Sequence, residues 1–346
     1  MLKTLRQKIM TKKVLILDAR ISIEEMEKRH IRSTSTLYKY YVGKKLLELG
    51  AKVDCKYAGA SREPDWDAFF RGLEKYLKEN GPYHSVISMA QRGYLSRGEV
   101  VGKRYYSLLK KYCKRVTTIC DNAYYVGFAD MTYYAVPMRP VDIKGADHKK
   151  FLDTRTKFVG WAADPTTCIY NKKPNDRKIR ILIDHSYYGN RPYKESSEQI
   201  IHSAEKYLQQ SHKNYDVIFK RFVSEKGIDT IKESGNYFEI FNRRKGLNHL
   251  DACKYYSESD IFVVTHAESM GLSVIESAMA GCLVMSPTRY IKSSLLKPLH
   301  HLEFSLNREI PWDKAIKMID HKKAYTMAKE FNWSKVSSAI AEDLLK

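Results

Sequence analysis

The 346-residue chain lacks any run approaching the ~20 consecutive apolar residues that a membrane span requires. Its first stretch, Met1 to Lys13, is basic but has no apolar core of the signal-peptide kind, so it reads as a short leader before the first strand. A cytoplasmic protein, at most peripheral to a membrane, is therefore expected. Cysteine is sparse: Cys55, Cys113, Cys120, Cys168, Cys253 and Cys282 lie far apart, and no pair has the two-residue spacing of a zinc site. Reduced, buried thiols are the expectation. The second half of the chain carries no Asp-x-Asp sequence, and Asp251 and Asp260 stand isolated, so no metal site is expected there. Acidic residues are also short, 40 against 60 Lys and Arg, which leaves a formal charge of +20. Such a field attracts polyanions (nucleotide phosphates, nucleic acid or anionic headgroups) and says nothing of fold.

What is present is enough apolar material for two cores, at a length about twice that of a typical domain. Strands and helices alternate. Val14–Leu17, Val53–Tyr57, Ser85–Met89 and Arg115–Cys120 read as strands, separated by helical patterns over Ser35–Leu49, Trp66–Glu79 and Val100–Tyr112. Between Pro137 and Arg177 the periodicity fades and proline, aspartate and lysine accumulate, which places a linker near Asn171 to Lys178. A second series follows, with strands at Ile179–Ile183, Asp216–Phe222, Tyr237–Phe241, Ile261–Thr265 and Leu283–Met285. Helices are expected over Glu195–Gln210, Leu250–Ser257 and Ser273–Ala280, and again from Trp312 to the end, with Trp333-Ser334 opening the last one. The fold class is α/β: two Rossmann-like, doubly wound domains facing across a cleft. Residues 1–170 form the first domain, 171–325 the second, and 326–346 a C-terminal helix.

The most informative segment runs from Ile261 to Gly281. A buried strand ends at Thr265, a loop carries Glu268-Ser269-Met270-Gly271, and a helix starts near Leu272 and holds Glu276. Backbone N–H groups at a helix start, closely approached because Gly271 has no side chain, suit a diphosphate. Glu276, about one turn inside the helix, can accept from a pair of ribose hydroxyls, and Glu268 from sugar hydroxyls at the donor's other end.

Two glutamates seven residues apart, around a strand, a glycine loop and a small-residue helix, resemble the E-x7-E signature of retaining family-four glycosyltransferases of the GT-B class. Where that family reads Glu-Gly-Phe-Gly, this chain has Glu268-Ser269-Met270-Gly271, so one loop glycine is replaced. The resemblance covers Lys178 to Lys346, while the first half matches by architecture alone. It implies a nucleotide-sugar donor such as a UDP-sugar, with Glu276, Ser269, Met270, Gly271 and Leu272 binding it and Glu268 acting at the sugar. It implies cations on the diphosphate as well. Arg191 and then Lys194, after the strand ending at Ile183 and beside Gly189, are the first candidates, with Arg243 competing. His266 is as well explained by structure as by the sugar. No further cofactor is implied, and no side-chain base either, because the leaving phosphate can take the acceptor's proton; metal independence is expected from the isolated Asp251 and Asp260.

The first domain of such enzymes binds the acceptor. Here Arg20, Arg32, Arg92 and Arg97 cluster with Lys103 and Arg104, and Tyr94, Tyr105 and Tyr106 are interleaved. Cations for phosphates and aromatic faces for an unstacked base suit DNA, with a hydroxymethylated pyrimidine extruded as acceptor. The lysine- and tyrosine-rich, glycine-poor composition is similar in style to phage proteins that glycosylate such bases, which would put the chain in the host cytoplasm. The rival is an envelope glycosyltransferase whose segment Val100 to Arg115, through Leu108, Leu109, Tyr112 and nearby cations, lies on an anionic membrane. A non-catalytic nucleic-acid-binding protein that kept the fold is the third reading. Oligomeric state is not legible.

Overall fold

The computed structural model describes residues 12–17, 22–29, 34–56, 65–89, 99–120, 128–134, 156–171, 173, 178–184, 194–210, 217–223, 238–242, 249–265, 271–288, 290–291 and 296–346. The chain divides into two compact units: Met1–Gly160 together with Trp333–Lys346, and Trp161–Asn332.

The first unit holds a parallel sheet of six strands: β1 (Lys13–Leu17), β2 (Lys52–Lys56), β3 (Tyr83–Met89), β4 (Cys113–Cys120), β5 (Met131–Tyr134) and β6 (Thr156–Phe158). Their order is β2-β1-β3-β4-β5-β6. Helices α1 (Ile23–Arg29), α2 (Thr34–Glu48), α3 (Trp66–Asn80) and α4 (Glu99–Tyr112) connect them. Both sheet faces are covered, so strand residues of either parity are buried, as Val14, Leu15, Ile16 and Leu17 all show. Helix α1 falls where Asp18–Thr36 reads as a loop. The Ser22 hydroxyl accepts from Glu25 N–H to open it, and Ile23 and Met26 turn inward. Its Ile23 packs so close to Gly43 of α2 that a Cβ there would meet Ile23 Cδ1 at 2.3 Å.

Helix α3 shows how the sequence builds one element. Asp65 caps it, accepting from Asp67 N–H at 3.0 Å and Ala68 N–H at 2.9 Å, and Phe70, Leu73 and Leu77 form its inward stripe. Asp65-Trp66-Asp67 has the spacing of a metal motif. It serves here as a cap and, through Asp67, as the partner of Arg104 at 2.7 Å.

The second unit repeats the plan with β7 (Ile179–Asp184), β8 (Val217–Val223), β9 (Phe238–Asn242), β10 (Ile261–Val264), β11 (Leu283–Pro287) and β12 (His301–Phe304). The order is β12-β11-β10-β7-β8-β9, all parallel, with α5 (Lys194–Gln210), α6 (His249–Glu258), α7 (Leu272–Met279), α8 (Trp312–Lys317) and α9 (His321–Ala328). Ile181, Ile183, Phe219, Val263, Met285 and Trp312 form the core on one face of this sheet. Strands β5, β6 and β12 go beyond the sequence expectation: three or four residues give too short a period to read.

The last helix, α10 (Trp333–Leu344), returns to the first unit. Trp333, 1% exposed, stacks on Tyr41 of α2 with centroids 4.7 Å apart and meets Tyr38 edge-on at 4.9 Å. At its other end Ser85 donates to Leu344 O at 2.9 Å, and the Arg115 guanidinium to Asp343 O. The Asp343 carboxylate accepts from Lys346 at 2.7 Å, Tyr133 at 3.1 Å and Lys157 at 3.2 Å. Burial pushes this carboxyl's pKa up, but the three donors outweigh it and hold the pKa down at about 2. A depressed pKa stabilises the fold above the unfolded carboxyl value and loses that contribution as pH falls through the folded one. The first unit should thus lose stability between about pH 4 and pH 2 as Asp343 takes a proton. Thermal unfolding across that window should show a component absent from Asp343→Asn; identical pH profiles would refute it.

Candidate functional site

In the second sheet the strand order reverses between β7 and β10, which are adjacent, with Val264 in register with Asp184. In open α/β sheets ligands bind outside the carboxyl ends of strands at such a switch point. After β10 comes the buried Thr265, and the chain is described again from Gly271, the N-cap of α7, in extended conformation at φ −63° and ψ 143°. No side chain caps this helix among the described residues, so its first N–H groups depend on backbone, solvent or a ligand. An anion is a fitting partner there.

From Val274 to Met279 the helix is buried, Glu276 included at 3% exposure. Small residues Ser277, Ala278 and Ala280 let it sit between neighbours. Gly281 then turns the chain into β11 at φ +89°, where a Cβ would meet Tyr170 Cδ2 at 2.8 Å. The Glu276 carboxylate faces inward: its Oε1 pairs with His249 Nε2 at the start of α6. The same imidazole nitrogen lies 3.6 Å from Cys253 Sγ, one turn further along α6, and Cys253 Sγ is 2.7 Å from Cys168 Sγ. Burial lowers the His249 pKa, but the Cys253 thiol and the Glu276 carboxylate outweigh it and raise it to about 10. The raised pKa favours the protonated imidazole against the Glu276 carboxylate.

Cys168 reaches this point from a single turn, where Asp164 O accepts from Cys168 N–H at 2.8 Å and the Asp164 carboxylate from Thr166 N–H at 2.8 Å. Sequence reading did not single out His249, Cys253 or Cys168 as a group. The one signal available was the four-residue spacing from His249 to Cys253, which puts both on one helix face. Asp260 is structural: it accepts from Arg180 N–H at 2.7 Å and pairs with His321 at 3.1 Å.

Of the other residues singled out, Glu268, Ser269, Met270, Gly189, Arg191, Arg243, His266, Arg20, Arg32, Arg92 and Arg97 lie outside the described residues. Lys194 opens α5, and its side chain is likewise outside them. Leu272 is half-buried in the first turn of α7.

Helix α4 corrects two expectations about the acceptor surface. Tyr105, Leu108 and Leu109 belong to the core of the first unit, and Tyr105 is fully buried beside Phe69 and Phe70. Tyr106 packs against the same core and donates to Asp130 at 2.6 Å, while Tyr112 donates to Glu74 at 3.2 Å. The helical period turns one stripe of α4 inward, so Tyr105 offers no open face for a base and Leu108 and Leu109 none for a membrane, while Tyr106 is half-buried. Arg104 remains half-exposed over the Phe70 ring at 4.3 Å. No helix among the described residues is long and apolar enough to cross a membrane.

Two doubly wound units with a ligand-type switch point define an α/β fold of the nucleotide-binding kind. The fold is that of the GT-B glycosyltransferases, as solved structures show. The catalytic domain of starch synthase IV from Arabidopsis thaliana, bound to ADP and acarbose, matches with a TM-score of 0.61 at 10% identity, over 96% of this chain and 98% of that one. HepE from Anabaena, in complex with UDP and glucose, matches at 0.57 and 12% identity over 96% and 99%. The N-terminal domain of Candida albicans trehalose-6-phosphate phosphatase matches at 0.56 and 8% over 96% of each. No family model and no curated protein matches the sequence.

Proposed function

We propose that the protein is a glycosyltransferase that moves a sugar from a nucleotide-sugar donor, with retention, in the manner of the family-four enzymes its E-x7-E sequence resembles. One observation carries the reading: the second-sheet switch point leads into a glycine-capped helix start with no side-chain cap, with Glu276 one turn inside. The ADP and UDP complexes of the two glycosyltransferase-fold neighbours support a nucleotide donor for this architecture.

In this reading the diphosphate lies against the N–H groups of Leu272 and Ser273, and Arg191 and Lys194 offset the charge that develops as it leaves. Glu276 offers its carboxylate to the ribose hydroxyls. Glu268 holds the sugar. The leaving phosphate takes the acceptor's proton, so neither a side-chain base nor a metal is assigned to the transfer. At +20 the chain favours a polyanionic acceptor, and DNA carrying hydroxymethylated pyrimidines is the acceptor proposed.

Incubating the protein with hydroxymethylated DNA and a panel of nucleotide sugars, followed by mass spectrometry of the nucleosides, tests both levels. A hexose- or pentose-sized gain on the base is the expected result. Donor hydrolysis without that gain would keep the transferase reading and remove DNA as acceptor, and neither product would sink the proposal.

A further inference from the structure

We propose that Cys168, Cys253, His249 and Glu276 form a zinc site that ties together three segments of the second unit. The four residues come from a turn (Cys168), from one face of α6 (His249 and Cys253) and from the middle of α7 (Glu276). The ligand atoms of Cys168, Cys253 and Glu276 all lie within 4.8 Å of one another, and all three residues are buried. His249 Nε2 touches two of these three, Glu276 Oε1 and, at 3.6 Å, Cys253 Sγ.

The chemistry of the set is specific. Two thiols, an imidazole nitrogen and a carboxylate oxygen are the donors of tetrahedral zinc, whereas calcium and magnesium take oxygen alone. Four protein donors close the coordination sphere, which marks a structural ion with no place for a catalytic water. The two thiol sulfurs lie 2.7 Å apart, longer than the ~2.05 Å of a disulfide. Zinc–sulfur bonds of about 2.3 Å in a tetrahedron set the sulfurs roughly 3.8 Å apart, so binding moves them by about 1 Å. On binding, the two thiols and the His249 imidazolium each give up a proton to solvent, so that the imidazole coordinates in its neutral form. Glu276 contributes one oxygen to the ion.

The site does not rest on the transferase reading. Metal content is measured without a donor, and a failure of sugar transfer leaves it untouched.

The whole chain, purified without metal-chelating resin, should carry about one zinc per chain by inductively coupled plasma mass spectrometry, falling below about a tenth in Cys168→Ser and in Cys253→Ser. If those variants do not fold, wild-type protein stripped with a chelator and refilled with cobalt(II) carries the test. A thiolate-to-cobalt charge-transfer band with the visible spectrum of a tetrahedral ion is expected. Protein that folds without metal and yields no such band would overturn the site, and so would a Cys168–Cys253 disulfide in peptide maps of the freshly isolated chain.

Discussion

Glu276→Ala should abolish measurable binding of the nucleotide-sugar donor. Hydrogen bonds from ribose hydroxyls to a charged carboxylate are worth about 1.5–3 kcal/mol each, so losing a pair weakens binding by at least about 100-fold. The same change leaves His249 without its carboxylate in the interior of the second unit, and removing one partner of a buried ion pair costs roughly 3–5 kcal/mol. The variant should therefore melt earlier, and titration calorimetry with the nucleotide belongs well below its unfolding range. Glu268→Ala is expected to behave oppositely, keeping donor affinity and lowering turnover by on the order of 100-fold. Wild-type affinity in the first variant and wild-type turnover in the second would together refute the assignment of the glutamate pair. Cys168→Ser separates the two roles of this region, since it removes a proposed metal ligand while leaving the donor's hydrogen bonds in place.

The second large effect concerns stability. Trp333→Ala should destabilise the first unit by roughly 3–5 kcal/mol, the usual cost of emptying the place of a large buried aromatic side chain. The indole is fully enclosed between Tyr38 and Tyr41, so the neighbours cannot collapse into the gap without moving α2 against its sheet. Thermal unfolding followed by the far-ultraviolet signal would show an early transition belonging to the first unit. A variant that melts within about 2 °C of the wild type would mean that α10 contributes little to that unit.

The alternation of strands and helices is plain in the sequence because the parallel strands are buried on both faces and read as unbroken apolar runs, such as Val14–Leu17 and Ile261–Val264. Two Rossmann-like, doubly wound domains followed from two such series, and the GT-B class from the resemblance around Glu268 and Glu276. The segment around Glu276 was legible because a strand, a glycine and a helix of small residues fall within about twenty positions. The surroundings of Glu276 were not. Cys168 and Cys253 are 85 residues apart in sequence, and only the packing of a turn against α6 brings their sulfurs together. The face of α4 was misread for a related reason. Tyr105 and Leu109 follow helical spacing, and that spacing alone does not say whether the stripe meets a partner or the core.

The return of α10 to the first unit has a consequence for how the chain is made. Ribosomes extend a polypeptide from its amino end at about 5–20 residues per second, and domains generally begin folding as they emerge. The first unit has its six described strands outside the ribosome once Phe158 has appeared, yet Trp333 and Asp343, which close one side of its core, come out only after all of Trp161–Asn332. All of Trp161–Asn332 is therefore available to fold while the earlier unit still shows Tyr38 and Tyr41 to solvent. The earlier unit is completed only after the later one has emerged, and during that interval its uncovered aromatic surface is what a chaperone would meet.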